Sequence, residues 1–274
     1  MQHVSMEYLL HFYSHFIQMN SLSILFTCTC IFLLYIYSRL STPFPRILFQ
    51  TWKSKTSIPT NMTYWSSTCV SKNLSFRHIL WDDADNLRFV QEQFPWFLPT
   101  YEGYDLEIKR ADAIRYMFLY TYGGIYIDMD FECLQPFDSL LKEYSHYDIL
   151  LGSITTDGDR WKSKNSIPNA IMFSKPGHPF WLEVLELLQR YSNDSRKGVE
   201  DQTGPVVLKE AYLKSSYFYK IKILEPKVLY PISWITDNSV RSESLRQKDL
   251  TQLTKDSLNR YPTSYAVTYW THSW

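Results

Sequence analysis

Two aspartates separated by one residue, Asp128 and Asp130, close the stretch Tyr122-Gly123-Gly124-Ile125-Tyr126-Ile127-Asp128-Met129-Asp130. Side chains of an extended strand alternate between faces, so both carboxylates point the same way at its carboxyl end. Open α/β sheets bind ligands at that end. Two anions this close repel each other unless a cation or a proton sits between them. A hard divalent ion with oxygen ligands, Mn²⁺ or Mg²⁺, meets that need and can bridge a diphosphate. Two solvated acids in a turn is the commoner reading of a bare D-x-D triplet; the Gly-Gly opening and the apolar strand bring the two readings level. Just upstream, Asp112 and Arg115 are three apart and share a helix face. They read either as an ion pair of small worth or as working groups. Arg110, Asp112 and Arg115 put charge on a segment whose other residues are core-like, which is costly without a role.

The elements that must hold these groups follow from hydrophobic spacing. Residues 46–51 (RILFQT) and 76–81 (FRHILW) read as strands, and 84–94 as an amphipathic helix after an Asp-rich cap. Residues 107–122 carry Ala111, Ile114, Phe118 and Tyr122 at helical spacing. Gly123-Gly124 ends that helix, and 125–128 is a short strand. Further strands are expected near 147–151 and 169–174, with helices over 178–191 and 204–213. Strands alternating with helices predict an α/β fold with a mainly parallel sheet. Neither an internal repeat nor a low-complexity tract interrupts it.

Twenty-eight basic and 28 acidic residues cancel, which argues against a nucleic-acid partner, where a basic excess or stripe is usual. Residues 8–38 contain no Asp, Glu, Lys or Arg, and 22–37 reads LSILFTCTCIFLLYIY. A membrane-spanning helix needs about 20 mostly apolar residues. A cleaved signal peptide would want a basic start and a small-residue cleavage site, and neither stands out. The expected organisation is a tail (1–20), a transmembrane anchor (21–38), a Ser/Pro linker (39–44) and one catalytic domain (45–274). Arg39 and Arg46 after the apolar run favour a cytosolic domain by the positive-inside rule. Three glycosylation sequons, at Asn61, Asn73 and Asn193, favour a lumenal one. Cys28 and Cys30 lie in the apolar run. Cys69 and Cys133 are either a disulfide or two buried thiols, with no zinc spacing.

The segment Arg110-Ala-Asp-Ala-Ile-Arg-Tyr116, followed by Tyr122 to Asp130 as above, resembles the DXD-containing glycosyltransferases of the yeast mannosyltransferase type (glycosyltransferase family 32). These include the fungal inositol-phosphoceramide mannosyltransferases and the initiating α-1,6-mannosyltransferase of N-glycan outer chains. The sugar-transferring domain of the large clostridial toxins is similar over the same stretch. The resemblance extends to Pro45-Arg-Ile-Leu-Phe-Gln-Thr-Trp52, Thr203-Gly-Pro205 and Thr271-His-Ser-Trp274, so it covers about residues 44–274 in order. The stretch Phe94-Pro-Trp-Phe-Leu98 with Tyr101 resembles the sphingolipid mannosyltransferases most. Some relatives have a C-terminal membrane segment, for which residues up to Trp274 hold no counterpart.

The resemblance implies a Rossmann-like nucleotide-diphospho-sugar transferase (GT-A) domain and assigns roles. Gln50 and Trp52 would lie near the nucleotide base, and Asp112 and Arg115 at the donor sugar hydroxyls. Asp128 would contact the ribose, the donor and the metal, and Asp130 would ligate the metal. His272 would be a further ligand, which neutral imidazole can be beside carboxylates; a terminal surface histidine is the competing reading. Ser273 and Trp274 would lie at the diphosphate, Arg110 among the donor-binding residues, and Asn169, Asp201 and Gln202 towards the sugar or acceptor. Trp52 and Trp274 are also readable as core, Trp52 more so. The implied cofactor is Mn²⁺ (or Mg²⁺), and the implied donor GDP-mannose, with retained α-configuration. The implied acceptor is inositol-phosphoceramide. An N-glycan acceptor, a UDP-sugar donor or a catalytically silent membrane-complex subunit are the alternatives. No carboxylate nucleophile is identifiable, so a double displacement is not assigned. The expected partners are the nucleotide sugar, a lipid or glycan acceptor, the membrane of the Golgi or endoplasmic reticulum with the domain lumenal, and a regulatory subunit or second copy.

Overall fold

The computed structural model describes residues 43–155, 162–164, 166–194, 197–232 and 249–271. The expected anchor at 21–38, with Cys28 and Cys30, lies outside the described residues. Among the described residues, no helix is long and apolar enough to cross a membrane.

The chain runs β1 (Ile47–Thr51), α1 (Thr60–Lys72), β2 (Arg77–Trp81), α2 (Asp83–Gln93), α3 (Leu98–Glu102), α4 (Glu107–Thr121) and β3 (Gly124–Ile127). It continues through β4 (Phe131–Cys133), α5 (Asp138–Glu143), β5 (Ile149–Gly152), β6 (Ile171–Ser174), α6 (Phe180–Tyr191), α7 (Val199–Gln202) and α8 (Pro205–Ser215). It closes with β7 (Ile221–Leu224), α9 (Pro226–Leu229), α10 (Leu250–Arg260) and β8 (Ala266–Thr268). Six strands form one sheet in the order β2-β1-β3-β6-β5-β7, while β4 and β8 pair separately. β1 is parallel to β2 and β3, and β5 to β7, whereas β6 is antiparallel to both its neighbours. The mainly parallel sheet expected from the sequence is therefore mixed. The reversal matters: β6 begins where β3 ends, and the Asp128 amide donates to the Ala170 carbonyl at 2.8 Å.

β3, β5 and β6 are buried at every residue, as strands covered on both faces must be. Alternation along β1 and β3 sends Phe49 and Tyr126 into one core and Leu48 and Ile125 into the other. α4 lies between the sheet and α6, which is why it is buried without interruption from Ala111 to Leu119. Phe118 on its sheet face stacks on Phe49 with ring centroids 3.6 Å apart. Burying each such side chain contributes about 1.5–3 kcal/mol. Gly123 and Gly124 then turn the chain at φ of 64° and 88°, the left-handed region that glycine enters at little cost. A Cβ on Gly124 would also sit 2.6 Å from the Ile47 carbonyl oxygen. The pair thus both ends α4 and lets β3 enter the sheet.

Apolar spacing marks α1 only weakly. Its inward residues Met62, Trp65, Ser66 and Cys69 do follow helical periodicity, but two of the four are not strongly apolar. Cys69 in α1 and Cys133 in β4, 64 positions apart in sequence, form a disulfide with Cα atoms 4.7 Å apart. It pins α1 against the strand that directly follows Asp130. Chain-entropy reasoning gives about 4 kcal/mol for a loop of this length. Cys69→Ala with Cys133→Ala is expected to lower the unfolding free energy by roughly 2–4 kcal/mol, read from urea denaturation of the oxidised and double-alanine proteins.

Asn73, one of the three sequon asparagines, is 2% exposed. Its Nδ2 donates to the Cys69 carbonyl at 2.9 Å, and its Oδ1 accepts from the Phe137 amide at 2.8 Å. Nδ2 is the atom a glycan would occupy, so the folded domain uses Asn73 as a structural tie. Asn193 is exposed and Asn61 half-buried; Ser195 of the Asn193 sequon lies outside the described residues.

Candidate functional site

A cavity of about 210 Å³ opens at the carboxyl ends of β1 and β3, and Trp52, Asp112, Arg115, Asp128, Asp130 and Asn169 all line it. They arrive on several separate pieces of backbone. α4 presents Asp112 and Arg115 one turn apart. The end of β3 supplies Asp128, the following turn Asp130, and the approach to the reversed β6 supplies Asn169. Met62, Ile108, Met129, Val199 and Pro205 give the walls their apolar part.

Arg115 is the hub, with a side chain only 2% exposed. Its Nη2 lies 3.1 Å from Asp112 Oδ1 and its Nη1 3.4 Å from Asp128 Oδ1. Nη1 also donates to the Asn169 carbonyl at 2.9 Å, and Nε to the Ala111 carbonyl at 3.2 Å. The guanidinium carbon sits 4.7 Å from the centroid of the Tyr126 ring. Arg115 is therefore no surface ion pair of small worth: one cation ties α4, β3 and the entry to β6 together. Burial pushes the Asp112 carboxyl up, while Arg115, Thr203 and Asn169 pull it back. Its Oδ1 accepts from Asn169 Nδ2 and its Oδ2 from Thr203 Oγ1, both at 2.9 Å. At Gly204 a Cβ would lie 2.9 Å from the Glu200 Cα, so glycine lets the chain pass close to α7 beside Asp112. Pro205 then starts α8 at the cavity wall, which accounts for the Thr203-Gly204-Pro205 run.

Asp128 is 13% exposed at its side chain and accepts from the Tyr126 hydroxyl at 2.6 Å. Burial raises its carboxyl to about 7 against the pull of Arg115, with Asp130 adding to the rise. Asp130 Oδ2 accepts from the amide of Thr271 at 3.0 Å and from its hydroxyl at 3.3 Å. Two carboxylates facing one cavity, one of them raised through burial and its neighbour's charge, fit a hard divalent cation as part of a ligand set. Among the described residues, no three His, Cys, Asp or Glu side chains cluster as a complete metal site. Asp130 and Asp128 would hold the ion. His272, Ser273 and Trp274 lie outside the described residues.

The raised carboxyl has a consequence for stability in metal-free protein. An aspartate of an unfolded chain titrates near 3.9, so between about pH 4 and 7 the native state binds the extra proton. Stability is then highest at the acid end of that window and falls as pH rises through it. The expected fall is on the order of 2–4 kcal/mol, measured by urea denaturation in EDTA. Asp128→Asn should flatten the slope.

Other expected site residues stand elsewhere. Gln50 is fully buried and outside the cavity lining. Its Oε1 accepts from Ser66 Oγ at 2.6 Å and pairs with His78 Nε2 at 2.8 Å, while its Nε2 donates to the Asp128 carbonyl at 3.4 Å. It braces the turn that carries the aspartates. Arg110 also lies outside the lining and donates to the Tyr104 carbonyl at 2.7 Å. Asp201 pairs with Lys164 at 3.7 Å and Gln202 donates to the Asp194 carbonyl at 2.8 Å; Glu200, one residue earlier, is the one that reaches the cavity. Trp52 does line it, with its indole N–H donating to the Ser57 carbonyl at 3.2 Å. Thr271 stands out in the sequence only within the Thr271-His-Ser-Trp274 run, and nothing local signals its contact with Asp130.

With this geometry in place, comparisons with known proteins define the class. Residues 59–147 match the family described as "Glycosyltransferase sugar-binding region containing DXD motif". The matched region contains Asp128-Met129-Asp130. The chain is similar to inositol phosphoceramide mannosyltransferase 3 of Schizosaccharomyces pombe, 36% identical over 157 residues, covering 57% of this chain and 40% of that protein. It is also similar to the mannosyl phosphorylinositol ceramide synthase CSH1 of Saccharomyces cerevisiae, 36% identical over 167 residues, covering 60% of this chain and 41% of that one. The matched part is thus about two fifths of either relative. Among solved structures, the PaToxG glycosyltransferase superposes with a TM-score of 0.50 at 16% identity, covering 84% of this chain and 91% of that one. The fold is accordingly GT-A-like, built on a mixed α/β sheet.

Proposed function

We propose that the protein is a metal-dependent, retaining glycosyltransferase that moves mannose from GDP-mannose to an inositol-phosphoceramide acceptor at a membrane surface. The observation that carries this reading is the convergence of Asp112, Arg115, Asp128 and Asp130 on one cavity within the DXD region. The sphingolipid acceptor and the mannose are taken from the names of the similar yeast proteins. A divalent ion would act as a Lewis acid on the diphosphate as the glycosidic bond breaks and negative charge grows there. The chain's own part is positional. Arg115 supplies fixed positive charge beside Asp128, and Asp112 is held rigid by Asn169 and Thr203 where a sugar hydroxyl would need an acceptor. The apolar wall formed by Met62, Ile108 and Met129 limits water. A lumenal domain in the Golgi or endoplasmic reticulum, anchored by residues 21–38, is supported by the Cys69–Cys133 disulfide, because such bonds persist in oxidising compartments.

The test is transfer from radiolabelled GDP-mannose to inositol phosphoceramide by purified full-length protein, with Mn²⁺ and with EDTA. Metal-dependent mannosylation is expected. Thermal stabilisation by UDP but not by GDP would sink the mannose assignment, and absence of binding or cleavage of any nucleotide sugar with metal would sink the enzyme reading.

A further inference from the structure

A carboxylate that the site does not use lies two residues beyond Asp130. Glu132 in β4 is fully buried and stands opposite Val267 of β8. Two hydroxyls hold it: Thr254 of α10 donates to Oε1, and Tyr269 donates to Oε2 at 2.5 Å. The Tyr269 hydroxyl also pairs with Ser257 Oγ at 2.9 Å, and its ring packs on Trp65 with centroids 4.9 Å apart. Thr254 in turn pairs with the Tyr64 hydroxyl at 2.9 Å. Burying a carboxylate is costly even when it is hydrogen-bonded, and an apolar residue of similar shape often serves stability better. What Glu132 secures is location: it clamps α10 and the exit of β8 onto the strand that leaves the DXD turn.

The residue after Tyr269 is strained. Trp270 has φ of +50°, and among the described residues it is the one non-glycine residue in the left-handed region. Such a conformation persists only where the surroundings over-determine it, and it gathers at functional sites. Here the indole stacks on Tyr230 at 5.5 Å with planes 17° apart, and its N–H donates to the Ile232 carbonyl at 2.8 Å. Its amide donates to Thr268 Oγ1 at 3.1 Å. The sharp turn at Trp270 directs the amide and hydroxyl of Thr271 onto Asp130 Oδ2.

We infer that Glu132, Tyr269 and Trp270 form a positioning unit that carries the chain after β8 to Asp130, so that Thr271 fixes one carboxylate oxygen and orients the other for a divalent ion. None of the three is a catalytic residue; they act through Thr271. The inference rests on reading Asp130 as a metal-binding group.

Tyr269→Phe keeps the ring against Trp65 and deletes the hydroxyl, and Glu132→Gln keeps the shape with a weaker acceptor. Mn²⁺ affinity in the presence of GDP, from electron paramagnetic resonance of free Mn²⁺, is the first readout. Hydrogen exchange of residues 266–271 is the second. Removing groups that orient metal ligands typically weakens binding roughly 10–100-fold. Tyr269→Phe is expected to fall in that range with faster exchange over 266–271, and Glu132→Gln to follow with a smaller shift. Ser215→Ala, which removes a buried hydroxyl bonded to Glu183, serves as a control of comparable insult and should leave Mn²⁺ affinity unchanged. Wild-type Mn²⁺ affinity in Tyr269→Phe and Glu132→Gln, measured well below their melting temperatures, would overturn the inference. If Tyr269→Phe fails to fold, Glu132→Gln decides alone. A wild-type protein that binds Mn²⁺ with GDP yet transfers no sugar removes the proposed activity and leaves this inference standing, so the two failures are distinguishable.

Discussion

Asp130→Ala is expected to lower kcat/KM for sugar transfer by roughly 10³-fold or more while shifting Tm by no more than about 2 °C. The size follows from what the residue would hold: a metal acting on a departing diphosphate supplies several kcal/mol, and about 4 kcal/mol corresponds to 10³ in rate. The small thermal effect follows from the surroundings. Asp130 is half-buried at the cavity mouth, and it accepts from the amide and hydroxyl of Thr271. Its loss also relieves the repulsion that raises Asp128, which offsets the lost hydrogen bonds. Asp130→Asn separates charge from shape, since it can still accept from Thr271. Equal inactivity of the alanine and asparagine variants, with intact folding, assigns the effect to the charge. Full activity in either variant would remove Asp130 from the metal site.

Arg115→Met is expected to behave in the opposite way, as a stability variant first. It leaves Asp112 and Asp128 facing each other in a buried space with their shared cation gone. Removing one partner of a buried ionic group typically costs about 3–5 kcal/mol, enough to take a large share of a domain's stability. The exposed pair Lys55–Asp85, with the lysine side chain 45% exposed, would lose far less on the same change, because solvent screens it. Coupling is checked by a double-mutant cycle. Asp112→Asn on the Arg115→Met background should recover part of the loss, because the orphaned charge is removed along with its partner. Urea denaturation of the four proteins supplies the four free energies; strict additivity would show that Asp112 and Arg115 act independently.

The contrast between these two residues marks how far local pattern reaches. Spacing put Asp112 and Arg115 on one face of a helix, and the helix appears at Glu107–Thr121 almost where it was expected. The same reasoning could not say that α4 lies between the sheet and α6, so it could not separate Arg115, which is buried at the hub, from Arg110, which binds the Tyr104 carbonyl outside the cavity. At Gln50 the strand was legible, and its neighbours were not. Ser66 and His78 come from α1 and β2, and they turn the side chain into a brace. Asp201 and Glu200 differ by one residue, and on a single helical turn that is about 100° of rotation, which decides which of them meets the cavity.

What the sequence alone determined were the features that short-range physics enforces. The period of apolar residues set α4, β1 and β3, two glycines were required where φ turns positive, and the spacing of Asp128 and Asp130 placed two carboxylates together at a strand end. The tertiary structure alone decided the reversal of β6, the joining of Cys69 to Cys133, the burial of Asn73 and the meeting of Thr271 with Asp130. Those pairs are separated by tens to more than a hundred residues. Contacts at that range are selected by which faces bury best against one another once the whole chain has packed, so the residues at either end carry no local sign of the partner they will find.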